Sequence, residues 1–168
     1  MWIRDQLPRA LPDIRYILYG YDSPLLTNSF QTIFDLSRGF VEQLRSQGWT
    51  LSTSKPLLFL AHSLGGLVLK QAFTIVANHP DYGPLKNAIR GAILFGVPNF
   101  GMEQSALLAV AEGAANERLI RDLAPSSQYL TQLHAQVEGL AFLQDVVLHW
   151  AYETRESPTV IVRIRPFL

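Results

Sequence analysis

Short apolar runs alternate with longer amphipathic stretches along the chain, which is the pattern of stacked strand–helix units. Residues 57–61 are apolar at every position, as a strand covered on both faces requires. Apolar residues recur at helical spacing from about residue 28 to 47, and Gly48 stands where a helix C-terminal glycine is expected. A second helix is predicted at residues 67–77. These segments indicate an α/β fold.

The remaining elements continue the alternation. Further strands are predicted at residues 14–19, 88–95 and 145–152, and another strand could begin at 159–164. Further helices are predicted at 102–114 and 127–140. A turn is predicted at 81–84, a short turn near 116–117 and a loop at 96–101. Parallel strands need crossover connections of a dozen or more residues, and these spacings supply them. We therefore expect one partial domain over residues 1–168, with a mostly parallel sheet in a three-layer sandwich.

Ser63 lies between the apolar strand and the helix that follows it, in the run Ala61-His62-Ser63-Leu64-Gly65-Gly66. A serine there, with small residues two places away on either side, is the pattern of the α/β-hydrolase nucleophile elbow. The sharp turn leaves no room for bulky neighbours, so Gly65 is expected to be required. The Leu64 N–H group is the expected oxyanion donor, because the helix N-terminus points at the developing charge. The opposing interpretation is a tight turn with a capping serine and no chemistry.

A serine nucleophile needs a base, and the base needs an acid that orients it. In this fold both follow the serine along the chain, first the acid and then the histidine base. Glu153 ends the predicted strand at 145–152 and is the best placed acid, ahead of Glu156 and Asp145. No histidine follows it. His62 adjoins the serine, so it is expected to shape the elbow or the pocket, and the other histidines are expected to be structural: His79, His134 and His149. The base is therefore not visible in this chain.

Composition excludes several classes of function. Lys plus Arg equal Asp plus Glu at 14 each, so no basic surface suggests nucleic acid. The chain has no cysteine and no run typical of a P-loop, a dinucleotide site or a zinc protease, so no cofactor or metal is expected. No apolar run approaches the roughly 18 residues that span a bilayer, so we expect no transmembrane segment and a cytoplasmic location.

Several segments together resemble the serine-esterase, lipase-like α/β-hydrolases that include the serine-active-site-containing proteins, and most of all their fungal members that precede NACHT or ankyrin-repeat regions. The matching segments are residues 2–8 (WIRDQLP), 19–23 (YGYDS), 61–66 (AHSLGG), 95–102 (FGVPNFGM), 119–123 (LIRDL) and 152–159 (YETRESPT). The resemblance implies an ester or lipid-ester substrate, Ser63 as nucleophile and Glu153 as acid. It also implies, as an alternative location, mitochondrial or endoplasmic-reticulum membranes.

The resemblance also marks departures. Relatives usually carry an upstream strand with a His-Gly oxyanion loop and a downstream triad histidine, so this chain is expected to be incomplete at both ends and feeble as an isolated enzyme. Many relatives have Pro-His-Arg-Gly where this chain has Pro98-Asn99-Phe100-Gly101, so Asn99 is expected to alter what binds near the site. Open sheet edges predict self-association. A non-catalytic signalling or interaction module with the same fold remains the alternative.

Overall fold

The computed structural model describes residues 5–21, 30–103, 113, 116–125 and 127–152. Over these residues, helices alternate with three strands. In chain order the elements are α1 (Leu7–Ala10), α2 (Ile33–Ser46), β1 (Leu57–His62), α3 (Leu64–Asn78), a 3₁₀ helix (Pro80–Tyr82), α4 (Gly83–Ala88), β2 (Ile89–Phe95), α5 (Glu117–Asp122), α6 (Gln128–Glu138), a second 3₁₀ helix (Ala141–Asp145) and β3 (Val147–Ala151).

The three strands form one parallel sheet in the order β1-β2-β3. Leu60 pairs with Ile93, and Ile93 pairs in turn with His149. The predicted α/β fold with a parallel sheet is therefore confirmed. Because the strands are parallel, their C-terminal ends meet at one edge, which is where α/β proteins place their sites.

One face of the sheet carries the main hydrophobic core. Phe59 of β1 and Leu94 of β2 pack there against α3, whose Leu69, Phe73 and Val76 are buried. Aromatic contacts extend this packing: the Phe59 and Phe73 rings lie 6.0 Å apart, between centroids, in an edge-on arrangement. None of the helices in the described part of the chain combines the length and the apolar character that crossing a membrane requires.

The opposite face of the sheet, named here the open face, remains accessible in the described part of the chain. Leu58, Leu60 and Val147 share this face and are 68%, 44% and 59% exposed. Strand side chains alternate between faces, so these residues point away from the α3 side. An exposed apolar surface of this kind favours contact with another protein surface.

Helix α2 begins five residues later than the apolar spacing predicts. Thr32 caps it: the Thr32 Oγ1 accepts a hydrogen bond from the Asp35 N–H (3.2 Å), and the Asp35 carboxylate accepts one from the Thr32 N–H (2.9 Å). This reciprocal pair satisfies two backbone donors that a helix start leaves without partners. The capping box therefore fixes the helix start, whereas residues 28 and 29 lie outside the described residues.

The strand predicted at residues 14–19 is wrong, because these residues form no strand. Tyrosine hydroxyls hold the segment instead: Tyr16 donates to the Leu11 carbonyl (2.9 Å) and Tyr19 to the Leu36 carbonyl (3.2 Å). The Tyr19 ring also packs on Phe40, 4.7 Å between centroids. A strand requires a neighbouring ladder as well as apolar residues, and β1 does not pair with this segment.

Pro and Gly near residues 80–84 predict a turn, whereas the structure has a 3₁₀ helix followed by α4. Both elements carry Pro at their first turn, where its missing N–H is harmless. The helix predicted at 102–114 is wrong at Met102 and Glu103, which are not helical, and its residues 104–112 and 114 lie outside the described residues. The strand predicted at 159–164 also lies outside them. The short turn near residue 116 is the start of α5.

Candidate active site at the strand-to-helix turn

Ser63 occupies a strained backbone conformation between β1 and α3. Its φ is 51° and its ψ is −126°, and it is the only described non-glycine residue with positive φ. Such backbone angles cost roughly 1–3 kcal/mol and persist only where the surroundings enforce them. The sharp turn from strand to helix is the geometry of a nucleophile elbow, in which the serine hydroxyl is raised above the sheet edge.

Backbone hydrogen bonds fix this turn on both sides. The Ser63 N–H donates to the Phe95 carbonyl at 2.9 Å, which ties the elbow to the end of β2. The Gly66 N–H donates to the Ser63 carbonyl, also at 2.9 Å. The Ser63 hydroxyl does not cap the helix and is half-buried. Leu64 opens α3, and as the first helical residue its N–H has no carbonyl partner within the helix.

The most closely packed glycine of the elbow is Gly66, whereas the expected requirement for Gly65 stays a prediction. A Cβ atom built at Gly66 would collide with the Val97 side chain. A Cβ atom at Gly65 would lie 3.4 Å from the Tyr21 hydroxyl, which is close to ordinary contact. Because Val97 follows β2, the absence of a side chain at Gly66 lets the loop after β2 lie directly against α3.

The loop after β2 carries Asn99, whose Oδ1 accepts a hydrogen bond from the Lys70 Nζ at 2.9 Å. Lys70 lies on α3 and is only 2% exposed, whereas Asn99 is half-buried. The ammonium also lies 5.9 Å from the Trp150 ring centroid, within cation–π range. His62, the other residue expected to shape the site, is the exposed last residue of β1.

Lys70 is the residue of this region that no local sequence pattern identifies. Burial lowers the pKa of its ammonium, and the charge of the exposed Glu138 opposes that shift only in part. The one signal in the sequence is that a lysine stands inside the apolar run of α3. A lysine buried there needs a polar partner for its ammonium group. The partner is 29 residues away along the chain, so the run itself does not reveal it.

The predicted acid, Glu153, lies outside the described residues, as does the weaker candidate Glu156. Tyr152, the last described residue before it, follows β3 and is 83% exposed. The third candidate, Asp145, is excluded as the acid: it lies in the 3₁₀ helix before β3, at the edge of the sheet opposite Ser63.

The described histidines other than His62 lie on other elements of the fold, and the His134 ring lies 6.0 Å from the Phe100 ring in the loop after β2. His79 accepts a hydrogen bond from the Asp81 N–H (3.2 Å) and stacks on Tyr82. His134 lies 3.3 Å from a Glu138 carboxylate oxygen, and His149 lies on the open face of the sheet. Among the described residues, no histidine hydrogen-bonds to Ser63.

An open groove of about 520 Å³ lies along the second half of α3, between α2 and α6. Its lining includes Phe34, Gln71 and Tyr129, but none of the candidate site residues. The described residues contain no group of three or more His, Cys, Asp or Glu side chains suited to a metal. This groove is therefore separate from the strand-to-helix turn at Ser63.

A strained serine at the C-terminal edge of a parallel sheet, turning directly into a helix, is typical of the serine-hydrolase class of α/β proteins. In agreement, the chain is similar to Protein SERAC1, a serine-hydrolase-like protein. It is 26% identical to the Mus musculus protein over 98% of this chain, 28% to the Bos taurus protein and 27% to the Homo sapiens protein, each over 89%. The chain spans 22–24% of the length of these relatives. No protein-family model and no solved structure matches the chain.

Proposed function

We propose that this protein is a serine hydrolase of the esterase or lipase type, which acts on carboxylic or lipid esters through Ser63. The observation that carries the proposal is the positive φ of Ser63 at the junction of β1 and α3. A serine that only capped the helix would need no such strain. In the proposed reaction the Ser63 Oγ attacks the ester carbonyl, and the Leu64 N–H stabilises the resulting oxyanion.

We propose Glu153 as the acid of the triad. It follows β3 by two residues, and the end of β3 is two strand spacings from the end of β1, or about 10 Å. That separation is too large for direct contact and leaves space for an imidazole between acid and serine. No histidine follows Glu153 in these 168 residues, so the proposed triad is assigned only its nucleophile and its acid.

Similarity to Protein SERAC1 supports a distant hydrolase relationship and not the narrower assignment to fungal proteins with NACHT or ankyrin-repeat regions. A lipid ester is the substrate class that we propose on the basis of this relationship. A cytoplasmic location also remains a proposal, with association with mitochondrial or endoplasmic-reticulum membranes as its alternative.

The second candidate function is a non-catalytic signalling or interaction module that retains the hydrolase fold. It is favoured by one observation: no described histidine contacts Ser63, so the described part of the chain holds no base for the serine. The same part of the chain has an open apolar sheet face, which suits a binding role.

A burst-kinetics experiment distinguishes the two functions. The purified chain is mixed with excess p-nitrophenyl butyrate, and the released p-nitrophenol is followed while intact mass reports acylation. Because no described histidine serves as the base, we expect slow acylation that releases at most one p-nitrophenol per chain and leaves a butyryl group on Ser63; Ser63→Ala abolishes both. A folded chain that is not acylated contradicts the hydrolase proposal and supports the non-catalytic module.

A further inference from the structure

The loop between Gly96 and Met102 is held at the same sheet edge as Ser63 by contacts along its length. The Gly96 N–H donates to the Ala151 carbonyl of β3 at 2.8 Å, and the Met102 N–H donates to the Leu123 carbonyl after α5 at 2.9 Å. Between these anchors, the Asn99 N–H donates to the Val97 carbonyl at 2.8 Å, which forms a tight local turn. Asn99 is therefore presented from a fixed backbone.

Lys70 fixes the orientation of the Asn99 side chain as well. An ammonium group only donates hydrogen bonds, so the atom that faces it at 2.9 Å must be the amide oxygen and not the nitrogen. The amide is planar, and its nitrogen points away from the group that the oxygen contacts. The Asn99 Nδ2 group is therefore directed away from buried Lys70, from a half-buried position at the edge where Ser63 lies.

We propose that Asn99 binds the substrate, an inference that rests on the hydrolase function proposed above. The Asn99 Nδ2 group donates a hydrogen bond to the ester held at Ser63, and Lys70 is the positioning residue that orients this amide. Side-chain amides are among the donors that serine hydrolases direct at substrate oxygens. The Val97–Gly66 contact holds the same loop against the first turn of α3, three residues from Ser63.

The choice of a lysine at this position fits a positioning role better than a packing role. A buried ammonium is unfavourable unless its donors are used, and an apolar side chain of similar length fills the same space without that penalty. Among the described residues, Lys70 donates a hydrogen bond to the Asn99 amide and lies over the Trp150 ring, and the charge of the exposed Glu138 offsets its burial only in part. Its contribution is therefore directional, because it selects one orientation of a neutral amide.

The test uses p-nitrophenyl butyrate with the whole chain and separates the dissociation constant of the substrate from the acylation rate constant. Asn99→Asp keeps the shape and replaces the donor by an acceptor, so we expect roughly tenfold weaker substrate binding or slower acylation, the value of about one hydrogen bond. Its melting temperature should not fall, since the introduced carboxylate would pair with Lys70. The matched control is Asn87→Asp, an exposed change on α4 that should alter neither constant.

Lys70→Met should reproduce most of the loss of binding or acylation seen in Asn99→Asp, because the amide is then free to rotate. Lys70→Arg keeps a donor and should retain at least half of the wild-type acylation rate constant. Asn99→Asp should also raise the pKa of Lys70, measured by nuclear magnetic resonance of labelled lysine side chains. If Asn99→Asp changes neither the substrate dissociation constant nor the acylation rate constant, or if the Lys70 pKa does not move, this inference is overturned while the hydrolase proposal stands. A wild-type chain that is never acylated overturns both.

Discussion

Replacing Ser63 by glycine should stabilise the protein while removing its nucleophile. At φ 51° and ψ −126° a Cβ atom is strained, which costs roughly 1–3 kcal/mol, whereas glycine adopts these angles freely. Glycine also gives the unfolded chain more conformational freedom, which offsets about 0.5–1 kcal/mol of the stability gained by removing the strain. The expected net gain in the free energy of unfolding is therefore about 1 kcal/mol, or a melting temperature about 2–4 °C higher.

Ser63→Ala is the matched control, because alanine loses the hydroxyl but keeps the strained Cβ atom. The assay is urea denaturation of both variants, and the informative quantity is the free energy of unfolding of Ser63→Gly minus that of Ser63→Ala. The same pair at Ser52, which is exposed and has negative φ, measures the intrinsic effect of glycine. If Ser63→Gly is no more stable than Ser63→Ala after this correction, the elbow is not strained and the reasoning is refuted.

Four further predictions concern packing, charge, capping and association. Gly66→Ala should lower the free energy of unfolding by about 1–3 kcal/mol, because the new Cβ atom collides with the loop after β2. Gly83→Ala, which has open space around it, should not lower it. Equal free energies of unfolding for the two variants in urea contradict this prediction. Burial lowers the pKa of Lys70, so its charge destabilises the folded state at neutral pH, and this destabilisation disappears as pH rises toward 10.5. The free energy of unfolding of the wild type should therefore rise relative to that of Lys70→Met between pH 7 and pH 10. A difference between the two proteins that stays constant over this range contradicts the prediction. Thr32→Ala should cost about 1 kcal/mol in the same assay by removing the capping box, and no loss would mean that the cap is dispensable. The open face should make the chain self-associate, seen as a mass above 18.9 kDa by light scattering that rises with concentration; a strictly monomeric chain argues against it.

The region around Ser63 is predictable from sequence because its signals are local. The apolar run before Ser63 predicts β1 to within one residue, and the run after it predicts most of α3. The elbow itself depends on a pattern of six consecutive residues, so its position needs no knowledge of distant contacts. The start of α2 is likewise a local signal, since Thr32 and Asp35 form a capping box that the broader apolar spacing conceals.

The failures involve partners that are remote in sequence. Residues 14–19 have the composition of a strand but no adjoining ladder, so tyrosine hydroxyls and ring contacts determine their path instead. The buried pair of Lys70 and Asn99 joins a helix to a loop 29 residues further on, which no local pattern indicates. The close packing of Gly66 similarly depends on the position of Val97, 31 residues further on.

The central claim, that Ser63 is an activated nucleophile, is tested most directly by a fluorophosphonate probe. The purified chain and its Ser63→Ala variant are treated in parallel, and peptide mass spectrometry locates the modified residue. We predict phosphonylation at Ser63 in the wild type and none in the variant. A folded chain that the probe leaves unmodified, or labels equally in both proteins, would mean that the elbow persists as architecture without the chemistry.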